Sequence, residues 1–447
     1  MRHLAALFFT LAMALTPLFG SAPAWSAGAS GRSVLSSEQV FQQARASVVE
    51  VRQQSTLSIG EISTASGFAV GSQGFIATNY HAVSDAVLEP LEVEVIIVGA
   101  NGERIRAKVS SVDVINDLAL LKPEKPFNAQ PLRLNEDIPE KGARGFAMGN
   151  PGGFGVSIVE GSFNGLFENT DISNIHFTGA INGGMSGGPA FDNRGAVVGV
   201  NVATSRDDQL VAYLVPAAPL AWLIEFTEAQ GPLDNAGLRE LMALQVGMLT
   251  DTQLENIELA GPGDGKPDTQ QLGPFTVMGK LHPDKECSAG REQDQGVLFS
   301  VVTQICRASD SVYISDEVQV GHILAAHFLL ADPGMTRTQI ARMQEHVLAE
   351  LRDSAGVSGD SYGEWTCERR RLRASNTLPL EMYACRRAIL DLSGLYDFRF
   401  RAASLVNGRA GLVAALGATG FDQASANKLL KAWLGVMDFD PGQGVQR

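Results

Sequence analysis

The feature that most constrains this fold is a change of hydrophobic rhythm along the 447 residues. From residue 48 to about residue 203, short β-rich runs (48–51, 66–70, 74–78, 93–98, 106–112, 118–121 and 197–202) are separated by Gly, Asn and Asp, and no helical pattern alternates with them. Strands this short and frequent predict a sandwich or barrel, because a doubly wound parallel sheet needs a crossover helix between strands. Residues 36–46 predict a short helix before them: Ser36 and Gln39 stand at capping-box spacing, with Val40, Phe41 and Ala44 on one face.

Between Pro219 and Ala260 the apolar spacing turns helical, as in Leu220, Leu223 and Ile224, then Leu238, Leu241, Met242 and Leu244. Residues 261–268 are too rich in Gly and Pro to continue a helix and read as a solvated linker; Asp264 and Asp268 lack the spacing and terminal Glu of a calcium loop. The rest of the chain reads as duplicated. Cys287 and Cys306 are 19 apart, Cys367 and Cys385 are 18 apart, and each second cysteine is followed by Arg and a strand-like stretch. Each copy ends on a helical pattern, at 336–351 and 424–437, so two similar α+β units are predicted. Four cysteines allow three connectivities, and neither close pair has the C-x-x-C spacing or neighbouring histidines of a zinc site. If the repeat holds, Cys287 pairs with Cys306 and Cys367 with Cys385.

Met1-Arg2-His3, an apolar run over 4–19 and Ala22-Pro23-Ala24 form the three zones of a secretory leader, so the mature chain is expected to start near Trp25. The run is shorter than a membrane span and is broken by Pro17. The expectation is a soluble periplasmic or secreted protein in a compartment that permits disulfides. Lys plus Arg number 35 against 49 Asp plus Glu, a net charge of −14, which argues against a dedicated nucleic-acid binder needing a basic face.

The chemistry concentrates in three segments. Gly183-Gly184-Met185-Ser186-Gly187-Gly188-Pro189 offers a serine on a tight glycine turn, where a nucleophile is exposed and backbone N–H groups converge on a developing oxyanion. Ala77-Thr78-Asn79-Tyr80-His81 places a histidine directly after an apolar strand, and Asn116-Asp117-Leu118-Ala119-Leu120-Leu121 opens a buried strand with a carboxylate. His176 and Asp113 are the rival histidine and carboxylate, but the first has no motif and the second lacks the following buried run.

In order and in motif, these segments resemble the chymotrypsin-fold serine proteases of the HtrA/DegP branch, over roughly residues 36–226. Ser66-Gly67-Phe68 before the Ser72-Gln73-Gly74-Phe75 turn, and Gly149-Asn150-Pro151 ahead of Val159-Glu160-Gly161, agree with it. The resemblance implies a mainly β domain of two antiparallel barrels. Ser186 would be the nucleophile, His81 the general base and acid, and Asp117 the carboxylate that orients the imidazole. The N–H groups of Gly184 and Ser186 would form the oxyanion hole. Ala180 would lie at the base of the primary pocket with Asn201, Val202 and Ala203 along its wall; with no carboxylate there, small or aliphatic residues are expected before the scissile bond. Neither metal nor organic cofactor is implied.

Two features depart from that pattern: Met185 stands where the family usually carries Asn or Asp, and no PDZ module is recognisable after residue 260. The expected organisation is a leader over 1–24, a protease domain over 31–230, a helical connector and linker over 231–268, and α+β units over 269–355 and 356–447. The resemblance implies unfolded or exported proteins as substrates and leaves room for a homo-oligomer. The alternative is a protease-fold binding or scaffold protein, weakened or inactive through the Met185 loop. Arg369, Arg370, Arg371 and Arg373, with Arg386, Arg387, Arg399 and Arg401, suggest either a basic face for envelope polymers or acidic partners, or solvated arginines on a sheet, and the second reading is preferred. Trp365 and Tyr383 nearby read as sheet packing.

Overall fold

A computed structural model describes residues 34–58, 60–127, 129–150, 155–167, 172–202, 212–292, 300–308, 311–331, 336–353, 360–375, 378–404 and 410–440. The expected leader and Ala203 lie outside these residues. Helix α1 (Ser37–Ala44) starts on the expected capping box, Ser36 and Gln39 bonding reciprocally, and buries Val40 and Ala44. Six strands then close an antiparallel barrel: β1 (Val48–Ser55), β2 (Glu61–Val70), β3 (Phe75–Thr78), β4 (Val93–Val98), β5 (Arg104–Asp113) and β6 (Leu118–Pro123), with the short helix α2 (Ser84–Leu88) between β3 and β4. A second closed barrel follows, from β7 (Arg144–Gly149), β8 (Ser157–Leu166), β9 (Ile175–Phe177), β10 (Pro189–Asp192), β11 (Val197–Val202) and β12 (Ala212–Pro216). Closure leaves neither sheet an open edge. Phe68, Phe75 and Leu118 of the first barrel pack with Phe146, Met148 and Phe191 of the second, so the seam between them is itself a core.

Helix α3 (Ala217–Gln230) covers that seam through Leu220, Leu223 and Ile224. Helix α4 (Asn235–Leu259) is more than a connector. The buried Gln245 amide donates to Val112 O (2.8 Å) and accepts from Val114 N–H (3.0 Å) in the first barrel, and Gln253 donates to Gly321 O (2.5 Å) on the other side. A hydrogen-bonded amide is the tolerable way to bury a polar side chain at such a joint.

The hairpin of β13 (Thr269–Leu272) and β14 (Phe275–Met278) precedes the C-terminal sheet, whose strands are β15 (Ser288–Glu292), β16 (Ser300–Arg307), β19 (Ile323–Ala331), β20 (Thr366–Arg373), β21 (Pro379–Ala388), β22 (Tyr396–Ser404) and β23 (Ala410–Phe421). The small ladder of β17 (Val312–Tyr313) and β18 (Gln319–Val320) stands apart from it, and β24 (Asp438–Phe439) joins β14. The strand order β15-β16-β19-β23-β22-β21-β20 means that the two predicted repeats share one seven-stranded sheet, joined where β19 meets β23. Helix α5 (Arg337–Asp353) buries Met343 against Leu330, Ala403 and Val413 on one face, while α6 (Gln423–Gly435) buries Leu429 and Trp433 against the alternate residues, Leu412, Ala414 and Leu416, on the other. The disulfides are Cys287–Cys306 and Cys367–Cys385, as the repeat predicted. Each ties an outermost strand to its neighbour, closing loops of 19 and 18 residues at the sheet's two free edges.

The arginine-rich run is the edge strand β20. Arg369 and Arg371 both pair with Glu381, Arg370 pairs with Glu368, and Arg387 is buried against Asp397 (2.9 Å). Trp365 lies beneath Arg387 and Arg399, and Tyr383 beneath Arg369. A charged edge resists pairing with another strand, and these contacts support the sheet reading over a free basic face.

His327 on β19 is fully buried: its Nδ1 faces Gln304 Oε1 (3.2 Å) and its Nε2 accepts from the Trp433 indole (3.2 Å). Burial holds its pKa down at about 3, whereas an unfolded histidine titrates near 6.5. Below pH ~6.5 the unfolded chain therefore binds the extra proton, and stability falls as pH drops toward about 3. The expected loss is about 2 kcal/mol between neutral pH and pH ~5. Urea midpoints at the two pH values measure it, and His327→Gln should flatten the slope; an unchanged slope in the variant rules the histidine out as its cause.

Candidate active site

Strand β3 is wholly buried and delivers His81 three residues past its end. Asp117 enters β6 with φ 53°, the one non-glycine residue with positive φ among the described residues, in a region that Asp tolerates better than most. Two donors hold it there: Asn79 Nδ2 (2.9 Å) and Tyr80 N–H (3.1 Å) both bond to Asp117 O. Both carboxylate oxygens then reach His81, Oδ1 accepting its backbone N–H (2.9 Å) and Oδ2 facing Nδ1 (2.7 Å). This fixes the proton on Nδ1 and leaves Nε2 as the basic nitrogen. Asp113 is not a competitor: it accepts from the Asn116 backbone (3.0 Å) and side chain (2.7 Å), closing the turn that projects Asp117. His176 sits on β9 beside Phe167 in the second barrel.

Ser186 occupies the turn between β9 and β10. Gly184 (φ 87°) and Gly187 (φ 81°) both adopt the left-handed region, and a Cβ at Gly187 would lie 2.2 Å from Ser66 O and 3.1 Å from Asn79 N. The turn thus abuts the strand end that carries His81. Ser66 N–H donates to Ser186 O (2.7 Å), and the Ser66 hydroxyl donates to Gly184 O (2.6 Å) while accepting from Asn150 N–H (2.8 Å). With the Gly184 carbonyl held by Ser66, the N–H groups of Gly184 and Ser186 donate to no acceptor among the described residues. Ser186 Oγ is likewise not hydrogen-bonded to His81, a looseness common before substrate binds.

Residues 65–200 match the trypsin-like peptidase domain family. The barrels form a trypsin-like peptidase domain of the HtrA/DegP type. A probable periplasmic serine endoprotease, DegP-like, from Bartonella henselae is 33% identical over 172 residues, covering 37% of this chain and 33% of that protein. A protein of the same description from Pseudomonas putida is 35% identical over 161 residues, 34% of this chain and 30% of that protein. The chloroplastic protease Do-like 1 of Arabidopsis thaliana is 28% identical over 323 residues, 67% of this chain and 70% of that protein. The chain therefore spans only about a third of the length of the two bacterial relatives.

Within this peptidase domain, the Met185 departure has a structural explanation. Its side chain is 1% exposed and packs with Phe163, Phe177, Ile181 and Val198, so the turn is anchored by the second barrel's core at the position where Asn or Asp was expected. Its backbone still bonds to Asn182 O (3.0 Å). The expected pocket residues divide. Ala180 is exposed ahead of the turn, and Val202 lines the cleft that contains His81. Asn201 is fully buried, its side chain donating to Met148 O (2.8 Å) and Met185 O (3.2 Å), so it braces the Ser186 turn from behind and is not the open wall expected of it. Ser66 positions the turn through its bonds to Gly184, Asn150 and Ser186, a role that its Ser-Gly-Phe motif marks in the sequence without revealing.

Burial disfavours the imidazolium of His81, but the charge and hydrogen bond of Asp117 outweigh it and raise the pKa above the ordinary 6.5. The base must be neutral to act, so kcat/KM is expected to rise with pH through an apparent pKa above 6.5 and then level off. Asp117→Asn should move that limb to lower pH, and a limb that stays in place would exclude the pair as its origin.

Proposed function

We propose that this protein is a serine endopeptidase acting on exported proteins in the periplasm or outside the cell. Ser186 attacks the scissile carbonyl, His81 Nε2 takes its proton and later gives it to the leaving amine, and Asp117 holds the ring and stabilises the imidazolium. The N–H groups of Gly184 and Ser186 bind the oxyanion of the tetrahedral intermediate. The observation that carries this reading is a histidine gripped by both oxygens of Asp117, beside a serine turn whose two N–H groups have no acceptor among the described residues. The packed Met185 supports a competent turn and not a disabled one. The names of the bacterial relatives and the leader-like N-terminus support the compartment. Small or aliphatic residues before the scissile bond fit Ala180 and Val202, and unfolded or exported chains fit as substrates.

Intact-mass analysis after treatment with a fluorophosphonate tests it. A single adduct, mapped to the peptide containing Ser186 and accompanied by casein cleavage, is the expected result. No adduct at neutral or mildly alkaline pH would overturn the nucleophile assignment.

A further inference from the structure

The cleft beside His81 is not made by the two barrels alone. Val114, Ile115, Ile172, Val202 and Val215 supply its barrel side, and together with His81 and Asp117 they border a cavity of about 530 Å³. Ser311, Val312, Tyr313 and Asp316, from the β17–β18 hairpin of the C-terminal region, supply the remaining wall. That hairpin is fastened to the catalytic strand end. Tyr80, the residue before His81, donates its hydroxyl to Ile314 O (2.8 Å), and the Tyr313 ring stands edge-on to His81 at 6.5 Å between centroids and 87° between planes. Tyr313 in turn donates to Asp316 (3.1 Å), and burial pushes its phenol up to about 12, so it remains a donor throughout the working pH range.

We propose that the β17–β18 hairpin forms a second specificity pocket of the peptidase, which takes a bulky apolar side chain of the substrate close to the scissile bond. This rests on the peptidase reading and deepens it. Neither Ser186 nor Ala180 lines the cavity, so it is separate from the place expected for the residue at the scissile bond itself. Six of its thirteen lining residues are Val or Ile and the Tyr313 ring adds to them, which favours an apolar occupant by burial, with Asn116, Asn174 and Ser311 interspersed. Among the described residues its carboxylates are Asp117 and Asp316, engaged by His81 and by Tyr313. A C-terminal region fused to a protease thus shapes substrate choice from inside the active-site cleft, with no separate peptide-binding module needed for that step.

The test uses the full chain and fluorogenic tetrapeptide amides, whose coumarin leaving group fixes the register. One Phe is moved through the three positions preceding the residue at the scissile bond in an otherwise Gly and Ala frame. At one position Phe should raise kcat/KM over Gly about tenfold or more in the wild type. Tyr313→Ala should abolish that preference through KM with kcat little changed, and Tyr313→Phe, which keeps the ring, should retain it. A uniform loss across all peptides would make Tyr313 a support for His81 only and overturn the proposal, as would an unchanged Phe preference in Tyr313→Ala. Fluorophosphonate labelling separates this from the parent reading. If the wild type neither labels nor cleaves, peptidase activity fails, and dye-labelled forms of the same peptides, measured by fluorescence anisotropy, still report whether the preference for Phe exists and depends on Tyr313.

Discussion

Ser186→Ala is expected to lower kcat by about 10⁶-fold on any peptide the wild type cleaves, with KM little altered, as when the nucleophile is removed from enzymes with this triad. Folding should be untouched. Ser186 Oγ makes no hydrogen bond among the described residues, and the backbone contacts to Ser66 that hold the turn survive the substitution. The thermal midpoint should therefore match the wild type, which separates loss of chemistry from loss of structure. Asp117→Asn should cost less, about 10⁴-fold, because the oxyanion donors and the nucleophile remain while the imidazole loses its fixed tautomer. A Ser186→Ala variant retaining more than ~1% of wild-type turnover, far above the residual expected of a broken triad, would place the nucleophile elsewhere.

Ending the chain after residue 268 is expected to destroy the peptidase fold and not to release an active domain. Val312, Ile314, Val318 and Val320 of the hairpin, with Ile389, Leu392 and Leu395, are buried in the same core as Val49, Tyr80, Val83, Val112 and Val114 of the first barrel. Burying each aliphatic side chain contributes about 1.5–3 kcal/mol, so the seven together contribute on the order of 10 kcal/mol or more, comparable to the whole stability of a typical domain. Truncation also removes Ile314 O and Gly321 O, which accept from the Tyr80 hydroxyl and the Gln253 amide. The truncated chain should be recovered insoluble or should show a collapsed urea transition, with no fluorophosphonate adduct. A soluble fragment that labels at the wild-type rate would show the shared core to be dispensable.

The residues proposed for catalysis were legible because the roles proposed for them depend on local features that leave marks in the chain. Glycines at 184 and 187 answer positive φ, Asp117 opens a buried strand, and His81 closes one. The barrels were legible from strand spacing, and the disulfides from the matched cysteine intervals. What could not be read were the relations between distant segments. Asn201 lies in a hydrophobic strand like any wall residue, and only the packed structure turns its amide toward the carbonyls of Met148 and Met185. The Gly- and Pro-rich run at 261–268 reads as a tether between independent bodies. The structure instead shares one core across it, because α4 buries residues toward both neighbours and no periodicity in its sequence says which partner each face will meet. The two repeats likewise announce themselves by spacing but not that β19 and β23 will pair into one sheet.

By itself, then, the sequence determined the barrel class, the residues proposed for the catalytic constellation and the cysteine pairing, all of which follow from short-range pattern and backbone demands. Only the tertiary structure decided that Ser66 and Asn201 brace the Ser186 turn and that Tyr313, more than two hundred residues away in the chain, stands beside His81. Such contacts come from the burial of whole faces against one another. That driving force is proportional to the area removed from water and carries no direction that a linear pattern could record.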